Sequence, residues 1–180
     1  VLIEKPFVLK YSDGLKLINL LKRKKLKCWT VFQNRLNSSI KISKKLIDKD
    51  FFGKINLIDC KLTWHRDKKY YQSLWRGKYL TDGGVLVNQS IHLLDILNYL
   101  FGEVRNFNGN IHYDKEKLEA EDYISLNINL KNNIPVTFLA TTRANKDYEM
   151  SIDIFGSRNR LKISGIALNS LNFFDSKLNS

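Results

Sequence analysis

Tyr123-Ile-Ser-Leu-Asn-Ile-Asn-Leu130, followed beyond Asn132-Asn133 by Val136-Thr-Phe-Leu-Ala-Thr-Thr142, is the stretch whose reading decides the fold. In the first run Ile124, Leu126, Ile128 and Leu130 alternate with Tyr123, Ser125, Asn127 and Asn129. A period of two sets one row of side chains against a core and the other toward solvent, the pattern of a half-covered strand. Asn132-Asn133 suits a tight turn, so the two runs read as a hairpin. Toward the carboxyl end, Ser151 to Phe155 and Arg160 to Ile163 form a second pair around Gly156-Ser-Arg-Asn159. Toward the amino end lie a strand from Val104 to Asn110 and another from Ile55, where Asn56, Ile58, Cys60, Leu62 and Trp64 alternate with Leu57, Asp59, Lys61, Thr63 and His65. Gln89 to Leu100 interrupts the series with helical spacing that turns Ile91, Leu94 and Leu97 or Tyr99 to the core, and Phe101-Gly102 supplies the stop. Runs of consecutive strands after mixed elements predict an α+β fold: a mostly antiparallel open sheet with helices on one face.

The first residues read differently. Val1-Leu2-Ile3 is the end of a buried strand, stopped at Glu4-Lys5-Pro6 because proline cannot continue a ladder. A helix capped by Ser12 or Asp13 runs to about Lys25, and Cys28-Trp-Thr-Val-Phe32 is a second strand, so the unit is β-α-β. Ser38 and Ser39 cap another helix running to about Lys49, and Gly53 closes a turn. The division falls between Arg35 and Ser39, giving a first part over 1–37 and a sheet domain over 38–180.

The 180 residues carry 30 Lys plus Arg against 18 Asp plus Glu, a formal net charge of +12. The densest basic run, Leu21-Lys-Arg-Lys-Lys-Leu-Lys27, ends a helix, where cations complement the helix dipole. With no nucleic-acid module present, the charge reads as a solvated surface and not as a nucleic-acid groove. No apolar run approaches the roughly 18 to 20 residues of a membrane span, and Glu4-Lys5 interrupts any signal-peptide pattern, so no membrane partner is expected. Cys28 and Cys60 stand alone, which makes a reducing cytoplasm the expected location. The only methionine is Met150, from which the chain is expected to be a piece of a longer protein.

Chemistry concentrates in Asp82-Gly-Gly-Val-Leu-Val-Asn-Gln-Ser-Ile-His-Leu-Leu-Asp95. If a helix starts near Asn88 or Gln89, then Asn88, His92 and Asp95 share one face, offering an amide, an imidazole that exchanges protons near neutrality, and a carboxylate to fix its tautomer. Gly83-Gly84 allows close approach of a ligand to the backbone. The same residues fit a hydrogen-bonded helix histidine beside a glycine turn, and the pattern alone leaves both readings open. Lys5 ends a buried strand, where open α/β sheets place ligands, although a solvated lysine also fits there. Trp75-Arg76-Gly77, preceded by Tyr70-Tyr71, pairs aromatic faces with a guanidinium suited to phosphate or carboxylate, and a loop with these aromatics equally fits core packing under a long connection. A metal site is not expected, since His65, His92 and His112 lack ligand spacing, and neither a nucleophile elbow nor a Cys-centred signature occurs.

Ile3-Glu-Lys-Pro6 resembles the motif that ends a Rossmann strand in the Gfo/Idh/MocA family of nicotinamide-dependent sugar oxidoreductases, and Gly83 to Asp95 resembles the family's second signature. Phe32-Gln-Asn-Arg35, Tyr70-Tyr71, Trp75-Arg-Gly77, Asn88-Gln89 and Ser164-Gly-Ile-Ala-Leu-Asn169 are most similar to the subgroup that oxidises UDP-N-acetylglucosamine or its uronic acid, at C3, in lipopolysaccharide sugar synthesis. The resemblance implies that 1–37 is the last β-α-β of an NAD-binding Rossmann domain and 38–180 a substrate-binding and oligomerisation domain. It implies Lys5 and His92 as catalytic residues, with Asn88 orienting the substrate and Asp95 supporting His92. Glu4, Lys5, Pro6, Trp75 and Arg76 would line the cofactor, NAD or NADP, and Arg35, Arg66, Tyr70, Tyr71, Asn88 and Gln89 the nucleotide sugar. A homo-oligomer, dimer or tetramer, built through the sheet is the implied assembly. Many members carry Asp where this chain has Asn88. No Gly-x-Gly-x-x-Gly occurs, so the dinucleotide fingerprint is missing and these residues alone are not expected to be active. A free sugar or polyol as substrate, or a non-catalytic sheet domain serving assembly, are the rival expectations.

Overall fold

The structure is a computed structural model that describes residues 1–114 and 118–175. It begins with β1 (Leu2–Ile3), α1 (Tyr11–Arg23) and β2 (Trp29–Thr30), with β1 and β2 paired in parallel, as a β-α-β unit requires. The helix starts three residues earlier than Asp13 would set it, and two earlier than Ser12 would: Lys10 occupies the cap position without a side-chain hydrogen bond, and Asp13 sits in the first turn, where its charge still faces the positive end of the dipole. A 3-10 turn, Gln33–Leu36, leads into α2 (Ser38–Asp48).

Then come β3 (Ile55–Thr63), the short helices α3 (Lys68–Tyr71) and α4 (Gly84–Val87), α5 (Ile91–Phe101), β4 (Val104–His112), β5 (Tyr123–Leu130), β6 (Pro135–Thr141), β7 (Glu149–Gly156), β8 (Asn159–Ser164) and β9 (Ser170–Asp175). They form one seven-stranded sheet in the order β4-β5-β6-β3-β7-β8-β9. Every neighbouring pair is antiparallel except β3 with β6, which run parallel because a long excursion through three helices and two strands separates them. The expected α+β sheet is therefore present, with β9 added beyond the strands that alternation revealed.

The core lies between the sheet and its helices. Ile58, Cys60 and Leu62 of β3, Val136, Phe138 and Ala140 of β6, and Met150, Ile152 and Ile154 of β7 are buried against Ile40 of α2 and Leu93, Ile96, Leu97 and Leu100 of α5. The buried face of α5 agrees with the expected one at Leu97 and differs from it elsewhere: Leu94 is partly covered against the core, Ile91 is only partly covered and Tyr99 is exposed. Adjacent apolar doublets at Leu93-Leu94 and Ile96-Leu97 give two overlapping stripes, and packing centres the buried face on Leu93, Ile96, Leu97 and Leu100. The opposite sheet face is polar, with Asn106 paired to Asn129, Arg160 to Asp153 and Lys162 to Glu149 across strands. Among the described residues no helix is long and apolar enough to cross a membrane, and Cys28 and Cys60 are both free thiols.

Candidate active site

Two side chains with lowered basicity lie within electrostatic reach of each other at the seam between the amino-terminal unit and the sheet. Lys5 follows β1, joined to Pro6 by a cis peptide bond. Its Nζ donates to the backbone oxygen of Asn88 at 2.6 Å and to Asn88 Oδ1 at 3.3 Å. Burial lowers its pKa from 10.5, opposed by the charges of Asp82 and then Glu4. His92, on the first turn of α5, is also pushed down from 6.5, first by burial and then by the Lys5 cation, with Asp95 and Glu4 opposing. Its ring stands edge-on to Phe32 at 6.3 Å, and its buried Nδ1 has no hydrogen-bond partner.

Asn88 is not on the same helix as His92, contrary to the single-helix expectation. α4 ends at Val87, Asn88 follows it, and α5 begins at Ile91. The break is held by Ser90, fully buried, whose Oγ donates to the carbonyls of Val85 and Leu86. Asp95 departs from expectation too. Its carboxylate accepts two hydrogen bonds from Arg35, Nε at 2.8 Å and Nη2 at 2.5 Å, so it acts on His92 through charge alone. Arg35 lies over the rings of Phe32 and Tyr99 at 5.5 and 5.0 Å, with its side chain 39% exposed.

A second group continues from Asn88 through Gln89. Gln89 Nε2 donates to the Tyr70 hydroxyl at 3.1 Å. The Tyr70 ring lies under two guanidinium groups, Arg76 at 4.1 Å and Arg66 at 5.3 Å. Arg76 also lies over Trp75 at 5.0 Å, and its buried Nε has no hydrogen-bond partner. Arg66 covers Trp64 and pairs with Asp147 at 3.1 Å. Tyr71 stands edge-on to Tyr70 at 5.0 Å, its hydroxyl 2.9 Å from Thr142 Oγ1, on the wall of a cleft of about 970 Å³ that Arg66, Asp122 and Arg143 also line. Burial pushes the Tyr71 phenol up. Glu4 is exposed and Pro6 partly covered, both beside Lys5 in the chain.

Two acidic residues had no role in the sequence reading. Asp82, only 4% exposed, accepts the Gly77 N–H at 2.7 Å and the Asn88 side-chain amide. Glu121 accepts the Leu86 N–H at 3.0 Å, and its carboxylate occupies the space where a side chain on Gly84 would begin. Gly84 has φ +79, so glycine is required there on both counts. Asp82 was visible beside the glycine pair, whereas nothing local marks Glu121. Among the described residues, no three or more His, Cys, Asp or Glu side chains cluster as metal ligands.

Comparison with known proteins gives this arrangement a context. The chain is 23% identical over 176 residues to an uncharacterized oxidoreductase of Synechocystis sp., sll0816, an alignment that covers 89% of this chain and 47% of that protein. The solved structure of the WlbA dehydrogenase from Bordetella pertussis, in complex with NADH and UDP-GlcNAcA, superposes with a TM-score of 0.92 at 27% identity, over 98% of this chain and 56% of that one. A levoglucosan dehydrogenase in complex with NADH and levoglucosan shares the fold, with a TM-score of 0.86 at 18% identity over 97% and 50% of the two chains. The chain thus spans about half the length of the proteins it matches. Residues 40–162 match the GFO/IDH/MocA C-terminal domain, and the chain belongs to this family of oxidoreductases.

Proposed function

We propose that this chain is the substrate-side half of a nicotinamide-dependent dehydrogenase that oxidises a hydroxyl, at C3, of a UDP-activated N-acetylhexosamine or its uronic acid, as lipopolysaccharide sugar synthesis requires. In this reading residues 1–37 close a dinucleotide-binding domain and 38–180 form the substrate domain, which assembles into homo-oligomers, dimers or tetramers, through its sheet. The observation that carries the reading is that Lys5, bonded to Asn88, and His92, whose basicity the Lys5 charge lowers, are two nitrogen bases made less basic by burial at the same seam. The WlbA complex with NADH and UDP-GlcNAcA, similar over nearly the whole chain, supports the choice of ligands.

The residues present fit the nicotinamide end of the cofactor. The buried, unpartnered Nδ1 of His92 and Nε of Arg76 are polar atoms for which a bound group is the natural partner. Glu4, Lys5, Pro6, Trp75 and Arg76 would hold that end. When bound, the nicotinamide supplies the acceptor for the hydride that leaves the sugar carbon. The chain's own task is the hydroxyl proton. A neutral lysine has two N–H groups, and both are engaged by the two oxygens of Asn88, which turns the nitrogen lone pair away from Asn88 to take that proton. His92, kept neutral by burial, orients the hydroxyl and offers a second acceptor. Tyr70, Gln89, Arg76 and Arg66 form the polar and aromatic wall that would receive the sugar and its phosphates.

The test is reduction of NAD by a protein that carries this chain together with a dinucleotide-binding half, over a panel of UDP-sugars. UDP-N-acetylglucosaminuronic acid is expected to react, and Lys5→Ala or His92→Ala to lower the rate by about 10²- to 10⁴-fold. Reaction with free sugars or polyols alone would replace the nucleotide-sugar reading. No reduction with any of them would favour a sheet domain that serves assembly only.

A further inference from the structure

Asn88 is the only contact through which Lys5 Nζ meets the sheet domain among the described hydrogen bonds, and a side-chain amide works there only in one orientation. Its oxygen must face the amine and its NH2 must face something that accepts. Asp82 supplies that acceptor. Its carboxylate is almost wholly buried, one oxygen taken by the Gly77 N–H at 2.7 Å and the other by Asn88 Nδ2. With its NH2 group captured, Asn88 presents Oδ1 to Lys5 at 3.3 Å beside its own backbone oxygen at 2.6 Å. We propose that Asp82 is the positioning residue of the Lys5 centre: it fixes the Asn88 amide with both oxygens toward the amine and places a buried negative charge one amide away.

This explains the amide at 88 on physical grounds. With Asp82 buried beside it, a carboxylate at 88 would set two acceptors against each other with no proton between them, a costly contact away from water. An amide donates to one side and accepts on the other. The charged and titratable groups facing Lys5 are then Asp82 and Glu4, which favour the ammonium, and His92 across the seam. Glu121 lies within electrostatic reach of Asp82, and burial pushes its carboxyl up from the ordinary carboxylate range.

The inference rests on the proposed role of Lys5, yet its test needs neither cofactor nor substrate. Competitive acetylation of the full chain across pH, read by mass spectrometry on the Lys5 peptide, gives the titration midpoint of that amine. In Asp82→Asn the new side chain can still accept from Gly77, but its NH2 then opposes that of Asn88 and turns the Asn88 oxygen away from Lys5. The Lys5 midpoint is expected to fall below that of the unaltered chain. In the double exchange Asp82→Asn with Asn88→Asp the donor and acceptor are swapped, the line of hydrogen bonds is restored and the charge touches the amine. Its midpoint is expected to rise above that of the unaltered chain. Thermal unfolding of each variant shows whether it is folded, and if Asp82→Asn does not fold, the double exchange alone decides. An Asp82 that acts on Lys5 by its charge alone would also lower the midpoint in the single variant, so the double exchange decides, and a double variant no higher than the unaltered chain overturns the proposal. NAD reduction can fail while this ordering holds, and the ordering can fail while NAD is reduced, so the two readings are separable.

Discussion

The seven-stranded sheet and the β1-α1-β2 unit are held in place by different means. β3 pairs with β6 and β7 along most of its nine residues, and its inward side chains are sealed beneath α2 and α5. β1 and β2 share two residue pairs, and of the thirteen residues of α1 only Gly14 is buried, with Leu15, Ile18 and Leu20 at 44%, 39% and 42% exposure. The sheet draws its stability from apolar burial, whereas the smaller unit is tied to it by polar crossings, chiefly Arg35 to Asp95 and Lys5 to Asn88. The chemistry sits on those crossings. Lys5 comes from the lightly packed side and His92 from the rigid one, so the framework can keep its fold while the proton-handling pair is disturbed.

The contrast is broken most severely in the core. Phe138→Ala, at the centre of the sheet, is expected to cost about 3–5 kcal/mol, whereas Leu15→Ala on α1 should stay within about 0.5 kcal/mol, both read from denaturant unfolding. Equal costs would show that α1 is packed as firmly as the sheet. Next in size is the Arg35 to Asp95 crossing. Arg35→Met leaves the Asp95 carboxylate, 7% exposed at its side chain, without its bidentate partner. Because Arg35 is itself 39% exposed, the expected cost is about 1–2 kcal/mol, well under that of a fully buried pair. Asp95→Asn in the same background should recover part of it, as a double-mutant cycle would show. The smallest effect is a pH dependence. His92 is less basic in the folded chain than its ordinary 6.5, so below that pH the unfolded chain takes a proton that the folded one resists. Stability should decline as pH falls from about 6.5, by at most about 1.4 kcal/mol per pH unit, and His92→Gln should flatten that part of the curve.

The sheet was legible because its signal is local and repetitive. Tyr123–Leu130 alternates without a break and is a strand over those same residues. β9 was missed because Ser170-Leu-Asn-Phe-Phe-Asp175 does not sustain the alternation, and the parallel pairing of β3 with β6 follows from topology across many residues, which no window reveals. The buried stripe of α5 was misplaced in part because doublets of apolar residues fit two faces equally. At the site, the residue types in Gly83 to Asp95 showed where chemistry gathers, but the partners did not follow. Asp95 finds Arg35 sixty positions away, and Glu121 reaches Leu86 across thirty-five. Polar contacts of that span carry no period, so the expected service of Asp95 to His92 gave way to an ion pair that only the fold could disclose.

The central claim is that Lys5 takes the hydroxyl proton, and chemical rescue tests it most directly. In a protein carrying this chain with its dinucleotide-binding half, Lys5→Ala should reduce NAD about 10²- to 10⁴-fold more slowly than the unaltered enzyme. Small primary amines added to the buffer should restore part of the rate, more so as the basicity of the amine rises. A Lys5→Ala enzyme that keeps its full rate, or that no amine restores while His92→Ala responds to imidazole, would move the base to His92 and contradict the account.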